Sequence, residues 1–190
     1  SDAYWRSTEG ISVIDRCTAL VIHHRTWYDN SMASTKHEIL EEKGMNAKRI
    51  TDRSFFTCPA EELAPKLLGK VLCRKAEDGF VIRGRINVTE AYPTADKVND
   101  AARAAKSGKV NTQMQEGGVI YVKKSRGSFR FDIVAGHAGD GESVLIRGLD
   151  AYTEGPFIAA DAMSIDSGLD GTDLLSSESL IWLEDDGVSV

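Results

Sequence analysis

A glutamate stands in the run Val88-Thr89-Glu90-Ala91-Tyr92, at the end of a long apolar stretch and two residues before a tyrosine. A carboxylate so placed can act as a general base if a pocket covers it, and is an ordinary solvated side chain if none does. Lys123, Lys124, Arg126 and Arg130 form the densest basic cluster, on a predicted hairpin. It suits sequence-independent contacts with a phosphate backbone, DNA or RNA, and equally a sheet edge guarded by lysines against aggregation. His23, His24 and His37 lack ligand spacing with other His, Cys or acidic residues, and His137 sits in a Gly-rich turn. Cys17, Cys58 and Cys73 are odd in number and lack zinc-ligand spacing, so neither a metal site nor a disulfide framework is predicted.

The elements that must position these residues follow from periodicity and turn chemistry. Thr57-Cys58-Pro59 opens a short helix with Leu63, Leu67 and Leu68 on one side, kinked by Pro65 and ended by Gly69. Val71 to Arg74 reads as a strand, Glu77-Asp78-Gly79 as a hairpin turn, and Phe80 to Tyr92 as a long strand. That strand alternates, with Ile82, Gly84, Ile86 and Val88 on one face and Val81, Arg83, Arg85 and Asn87 on the other. A helix is predicted over Ala95 to Lys106, strands over Val119 to Val122, Ser128 to Val134 and Ser143 to Leu149, a helical stretch over Phe157 to Ala162, and a strand over Leu180 to Leu183. Residues 1–52 read as an N-terminal extension with a helix from Ser34 to Lys43; Trp5, Trp27 and Tyr28 in it either pack back on the domain or face another protein.

With 190 residues, 42% apolar and 27% charged, and only four prolines, the chain belongs with single globular domains rather than disordered or fibrous polymers. Its most apolar N-terminal stretch, Cys17 to Ile22, is far short of the roughly 18 residues of a membrane span, so a soluble protein without membrane contact is expected. The unpaired cysteines suit a reducing intracellular compartment, mitochondrial in preference to nuclear. The chain opens at Ser1 without an initiator Met, as an expressed fragment or a processed precursor would. The net charge of -6 is unevenly spread: -1 over residues 1–52, +7 over 53–130 and -12 over 131–190. A basic middle beside an acidic C-terminal third could turn one face to phosphates while the acidic part points away or meets a basic partner.

The blocks Arg53-Ser54-Phe55-Phe56, Leu63 to Leu72, Gly84 to Tyr92 with its Thr-Glu-Ala-Tyr motif, Gly118 to Val122, and Gly139 to Arg147 with its Leu-Ile-Arg motif follow one another in an order that resembles the alkyladenine (3-methyladenine) DNA glycosylase family. Met163 to Asp166, Gly171 to Leu174 and Ile181 to Glu184 are similar to its last segment. The resemblance implies, and the hairpin pattern independently allows, a single α/β domain of the α+β kind over residues 53–190, a curved, mostly antiparallel sheet with flanking helices. It also implies excision of damaged purines from duplex DNA by nucleotide flipping and glycosidic hydrolysis, without metal or cofactor. In that reading Glu90 deprotonates the attacking water, Arg147 helps hold it, and Tyr92 is one wall of the base sandwich.

The departures from the family pattern matter as much. Arg103, in Asp100-Ala101-Ala102-Arg103, replaces the histidine of the second wall, and Lys123 and Arg126 stand where aromatic residues supply a further wall and the wedge that fills the duplex. Stacking on an aromatic is worth about 1–3 kcal/mol per base, comparable with the cost of flipping. Asp132 matches the asparagine that screens normal purines, and the basic segment between the Leu-Ile-Arg strand and the tail is nearly absent, since Asp150 to Gly155 leads almost directly into Pro156. Two functions follow. One is a catalytically degenerate relative, a structural subunit of an organellar, ribosome-like nucleoprotein that binds RNA and meets protein partners through its extension and acidic C-terminal third. The other is an active DNA glycosylase with Glu90 as base.

Overall fold

The computed structural model describes residues 21–23, 47–94, 99–101, 104, 111–150 and 155–188. Among these residues, eight strands form one antiparallel sheet: β1 (Val21–His23), β2 (Lys48–Arg49), β3 (Val71–Lys75), β4 (Val81–Tyr92), β5 (Ile120–Ser125), β6 (Ser128–Ala135), β7 (Glu142–Leu149) and β8 (Ile181–Asp185). The order is β2-β8-β3-β4-β7-β6-β5, with β1 added beside β4. Helices α1 (Ala60–Leu67) and α2 (Pro156–Ala162) complete an α+β domain. None of the described helices is long and apolar enough to cross a membrane.

β4 organises the sheet because its twelve residues serve two sets of neighbours. Val81–Arg85 pair with β3, while Ile86–Tyr92 pair with β7 and, over Val88–Glu90, with β1. The predicted alternation holds as far as Asn87. There the β4–β7 register shifts on both sides of Val88, and Val88, Thr89, Glu90 and Ala91 are all buried. A bulge of this kind bends the strand and re-aims the side chains beyond it. Gly148 of β7 makes it possible: a Cβ there would lie 2.8 Å from Val88 Cγ2 and 2.5 Å from Asn87 Oδ1, closer than real Cβ contacts come.

Register sorts the two faces. Ala91, Val144, Ile133 and Ile120 lie opposite one another across four strands and join the main buried cluster with Leu63 and Leu67 of α1 and Ala159 and Ala160 of α2. α1 runs through Pro65 for two further residues, so the proline does not end it. Its first turn is capped by a carboxylate from the sheet, Ala60 N–H donating to Glu142 Oε2 at 2.8 Å.

Strands β3 to β8 and α2 lie where sequence places them, within two or three residues at their ends. Of the helix expected over Ala95–Lys106, residues 100, 101 and 104 are helical, and the others lie outside the described residues, as does the helix expected over Ser34–Lys43. The extension contributes β1 and β2 to the sheet. The acidic C-terminal third has partners within its own chain: Asp173 pairs with Arg53 at 2.5 Å, Asp185 with Lys70 at 2.7 Å, and Asp186 with Arg85 at 2.6 Å. For these three acids the charge asymmetry is resolved by folding the tail onto the basic middle. The close approach at the bulge sets an expectation: Gly148→Ala should destabilise the fold by about 1–3 kcal/mol, read as a lower urea midpoint with an unchanged slope.

Candidate active site

One residue pair of each strand down from the apolar row, the same register sets Glu90 opposite Leu145, Leu145 opposite Asp132, and Asp132 opposite Tyr121. Because side chains repeat every second residue, Tyr92, Arg147, Arg130 and Lys123 share this face. A polar row is thereby assembled on the side of the sheet away from the main core. On the opposite face Thr89 Oγ1 donates to the Ala64 carbonyl at 3.1 Å, tying β4 to the last turn of α1 directly behind Glu90.

Glu90 is buried, and both its oxygens are met. Arg147 Nη1 donates to Oε2 at 2.9 Å, and the Tyr92 hydroxyl donates to Oε1 at 3.0 Å. Burial, reinforced by the Glu90 carboxylate, pushes the Tyr92 phenol well above its usual range, which keeps it a donor. A carboxylate oxygen has two acceptor sites, so each oxygen of Glu90 can accept one further hydrogen bond, as from a water.

A second ionic group faces this one. Asp100 accepts from Lys123 Nζ at 2.6 Å and from Arg130 Nη2 at 2.9 Å, and the Tyr121 hydroxyl lies 3.4 Å from its Oδ2. The Arg130 guanidinium also lies over the Tyr92 ring, 5.9 Å from its centre. Asp100 is brought here by Asn99, a fully buried amide whose Nδ2 donates to the carbonyls of Tyr92, Pro93 and Gly141 and whose Oδ1 accepts from Ala101 N–H. Asn99 thus caps the helical residues 100–101 and fastens them to the end of β4.

Asp132 lies beneath this layer. Its Oδ2 accepts from Ser143 Oγ at 2.8 Å, and Ser143 in turn accepts from Gln113 Nε2 at 2.7 Å, while Oδ1 has no hydrogen-bond partner among the described residues. Burial pushes its carboxyl up from the usual 3.8 to about 6 against the opposing pull of Arg130 and Ser143.

Above these groups opens a cavity of about 410 Å³, within the range of small-ligand sites. Glu90, Tyr92, Lys123, Arg130 and Arg147 all line it, together with Asp100, Pro156 and Phe157. The basic cluster seen in the sequence therefore divides. Strand alternation sends Lys123 and Arg130 into the cavity, whereas Lys124 is exposed beside the Phe129 ring and Arg126 is exposed at the hairpin turn, with φ 51° before Gly127. Arg103 lies outside the described residues. Asp100, Asn99 and Phe157 were not singled out as site residues by sequence. Asn99 preceding a predicted helix is a capping signal that could have found it, whereas nothing local marks Phe157. Among the described residues no three His, Cys, Asp or Glu side chains gather as metal ligands do.

Residues 54–154 match a family model described as methylpurine-DNA glycosylase (MPG). Proteins named "Putative 3-methyladenine DNA glycosylase" are similar: one from Clostridium botulinum (strain Alaska E43 / Type E3) is 36% identical over 112 residues, 58% of this chain and 55% of its own. One from Clostridium beijerinckii is 35% identical over 112 residues, with the same shares. One from Herpetosiphon aurantiacus is 29% identical over 157 residues, 72% of this chain and 71% of its own. The chain thus spans about half the length of the clostridial relatives it matches.

The raised carboxyl of Asp132 makes stability depend on pH. A folded-state value above the unfolded one favours folding fully below about pH 4, and the contribution is lost as pH rises through about 6. Asp132→Asn, which keeps the shape and an acceptor for Ser143 without the buried charge, should therefore melt about 5 °C above the parent at pH 8, the gap closing as pH falls toward 4. Thermal denaturation across that range checks it; a pH-independent difference would mean that Arg130 and Ser143 offset the burial of the charge.

Proposed function

The chain belongs to the methylpurine-DNA glycosylase family, and on that premise we propose that it hydrolyses the N-glycosidic bond of a damaged purine in duplex DNA, with Glu90 as general base. The observation that carries the reading is Glu90 held between Arg147 and Tyr92 at an open cavity. A base must leave the duplex stack to reach such a recess, at a cost of a few kcal/mol. Tyr92 and Phe157 offer it flat apolar surfaces there. Lys124 and Arg126, exposed at the hairpin end, suit phosphates alongside the extruded nucleotide.

Glu90 takes a proton from water as the water oxygen bonds to C1′. The bond from C1′ to the base nitrogen breaks, and its electron pair departs with the base, which takes a proton from solvent. Free purine and an abasic sugar result. Arg147 orients the carboxylate and offsets its charge, and the Tyr92 hydroxyl fixes the other oxygen.

A second reading has one observation in its favour: Lys123, which by the resemblance stands at an aromatic wall position, is tied with Arg130 to Asp100 in an ionic cluster at the cavity. On it the pocket is inherited and excision lost, and the protein is a structural subunit of a nucleoprotein assembly. Single-turnover release of hypoxanthine or ethenoadenine from duplex DNA separates the two. The hydrolytic reading expects release by the parent and a loss of about 10²- to 10⁴-fold in Glu90→Gln; no release at large enzyme excess overturns it.

A further inference from the structure

Resting on the reading of this cavity as a base-binding site, we infer that Lys123 and Arg130, set in place by Asp100, are its specificity-determining residues and favour a neutral purine bearing a carbonyl over one made cationic by N-alkylation. The distribution of exposure carries this. Three cationic and two anionic side chains line the cavity, and they are unequally exposed to solvent. The side chains of Lys123, Arg130 and Arg147 are 33%, 19% and 39% exposed, whereas those of Asp100 and Glu90 are 12% each. Both carboxylates are already paired, Asp100 with Lys123 and Arg130, Glu90 with Arg147 and Tyr92. What the cavity shows an entering base is therefore donors and positive charge.

The Lys123 ammonium has three protons and the Asp100 carboxylate takes one, so two remain for acceptors in the cavity. A 6-oxopurine, the product of adenine deamination, presents O6 and N7 to them. A purine alkylated at N7 or N3 carries positive charge instead, and would face Lys123, Arg130 and Arg147 in a site partly screened from water with no uncommitted carboxylate among the described lining residues. Asp100 does more than neutralise: it holds the two cations on one side of the cavity, with Arg130 against the Tyr92 ring, so their donors are fixed before a ligand enters. A backbone phosphate drawn into the cavity would exploit the same donors, and the test must tell the two sources apart.

The experiment is equilibrium binding, by fluorescence anisotropy in a Glu90→Gln background, of duplexes carrying hypoxanthine, 7-methylguanine or a tetrahydrofuran abasic analogue, with excision by the parent chain measured in parallel. Hypoxanthine should bind about tenfold or more tighter than 7-methylguanine, as hydrogen bonds to a charged donor predict. Lys123→Met should bring that ratio toward unity and leave the abasic duplex unchanged. Asp100→Asn, which unfixes both cations but leaves their charge, should narrow the ratio by less than Lys123→Met does, whereas a general loss of structure would weaken all three duplexes, the abasic one included. A ratio indifferent to Lys123, or equal weakening on the abasic duplex as a phosphate ligand requires, overturns the inference. A parent that binds with the stated preference but releases no base overturns the hydrolytic reading and supports this one; release with a ratio indifferent to Lys123 does the reverse.

Discussion

Withdrawing a carboxylate from water costs several kcal/mol unless donors meet it, and one face of this sheet withdraws three. Glu90 and Asp132 are buried in the same cross-strand row, and the Asp100 side chain is largely covered beside them. Much else on that face answers to this. Arg147 and Tyr92 are spent on Glu90, Lys123 and Arg130 on Asp100, and Ser143 with Gln113 behind it on Asp132. Once the carboxylates are there, a charged and donor-rich lining follows. The apolar row on the other face, from Ala91 to Ile120, supplies burial without conditions of this kind.

Features that depend on local pattern were legible in the sequence. The turn at Glu77-Asp78-Gly79 and the long strand ending at Tyr92 rest on period and turn chemistry, and the strand is formed within one residue of its expected start. Arg147 was reached only through a motif, because nothing in its neighbourhood tells that it will meet Glu90 from the adjacent strand. The bulge at Asn87-Val88 was not legible, since the close approach it needs is permitted by Gly148 on another strand. Lys123 and Arg130 could have been placed by counting: strand period sets them on the same side as Tyr121 and Asp132, away from Lys124. Asp100 could not, because its position depends on Asn99 packing against the ends of β4 and β7.

The charge asymmetry along the chain illustrates the same division. A basic middle and an acidic end are visible as sums, but a sum does not say whether opposite charges meet inside one molecule or between two. Here Arg53, Lys70 and Arg85 each find an acid more than a hundred residues away. Exposed pairs of this type add little stability each, but Arg85 holds Asp186 through two parallel hydrogen bonds with both side chains largely covered, a geometry that fixes position as well as charge.

β8 lies between β2 and β3, and it is made from residues 181–185. On a ribosome, β3 and β4 can pair as soon as they emerge, and β5 to β7 can follow as hairpins. The early strand β2 has no neighbour in the sheet until β8 has been synthesised, and the inward edge of β3 stays uncovered for as long. From the pairing of β3 with β4 until β8 is made, the nascent chain thus carries an open backbone edge of Val71 to Arg74, with Arg74 and Lys75 at its end. Charges of that kind discourage pairing with the wrong strand while the right one is still to come.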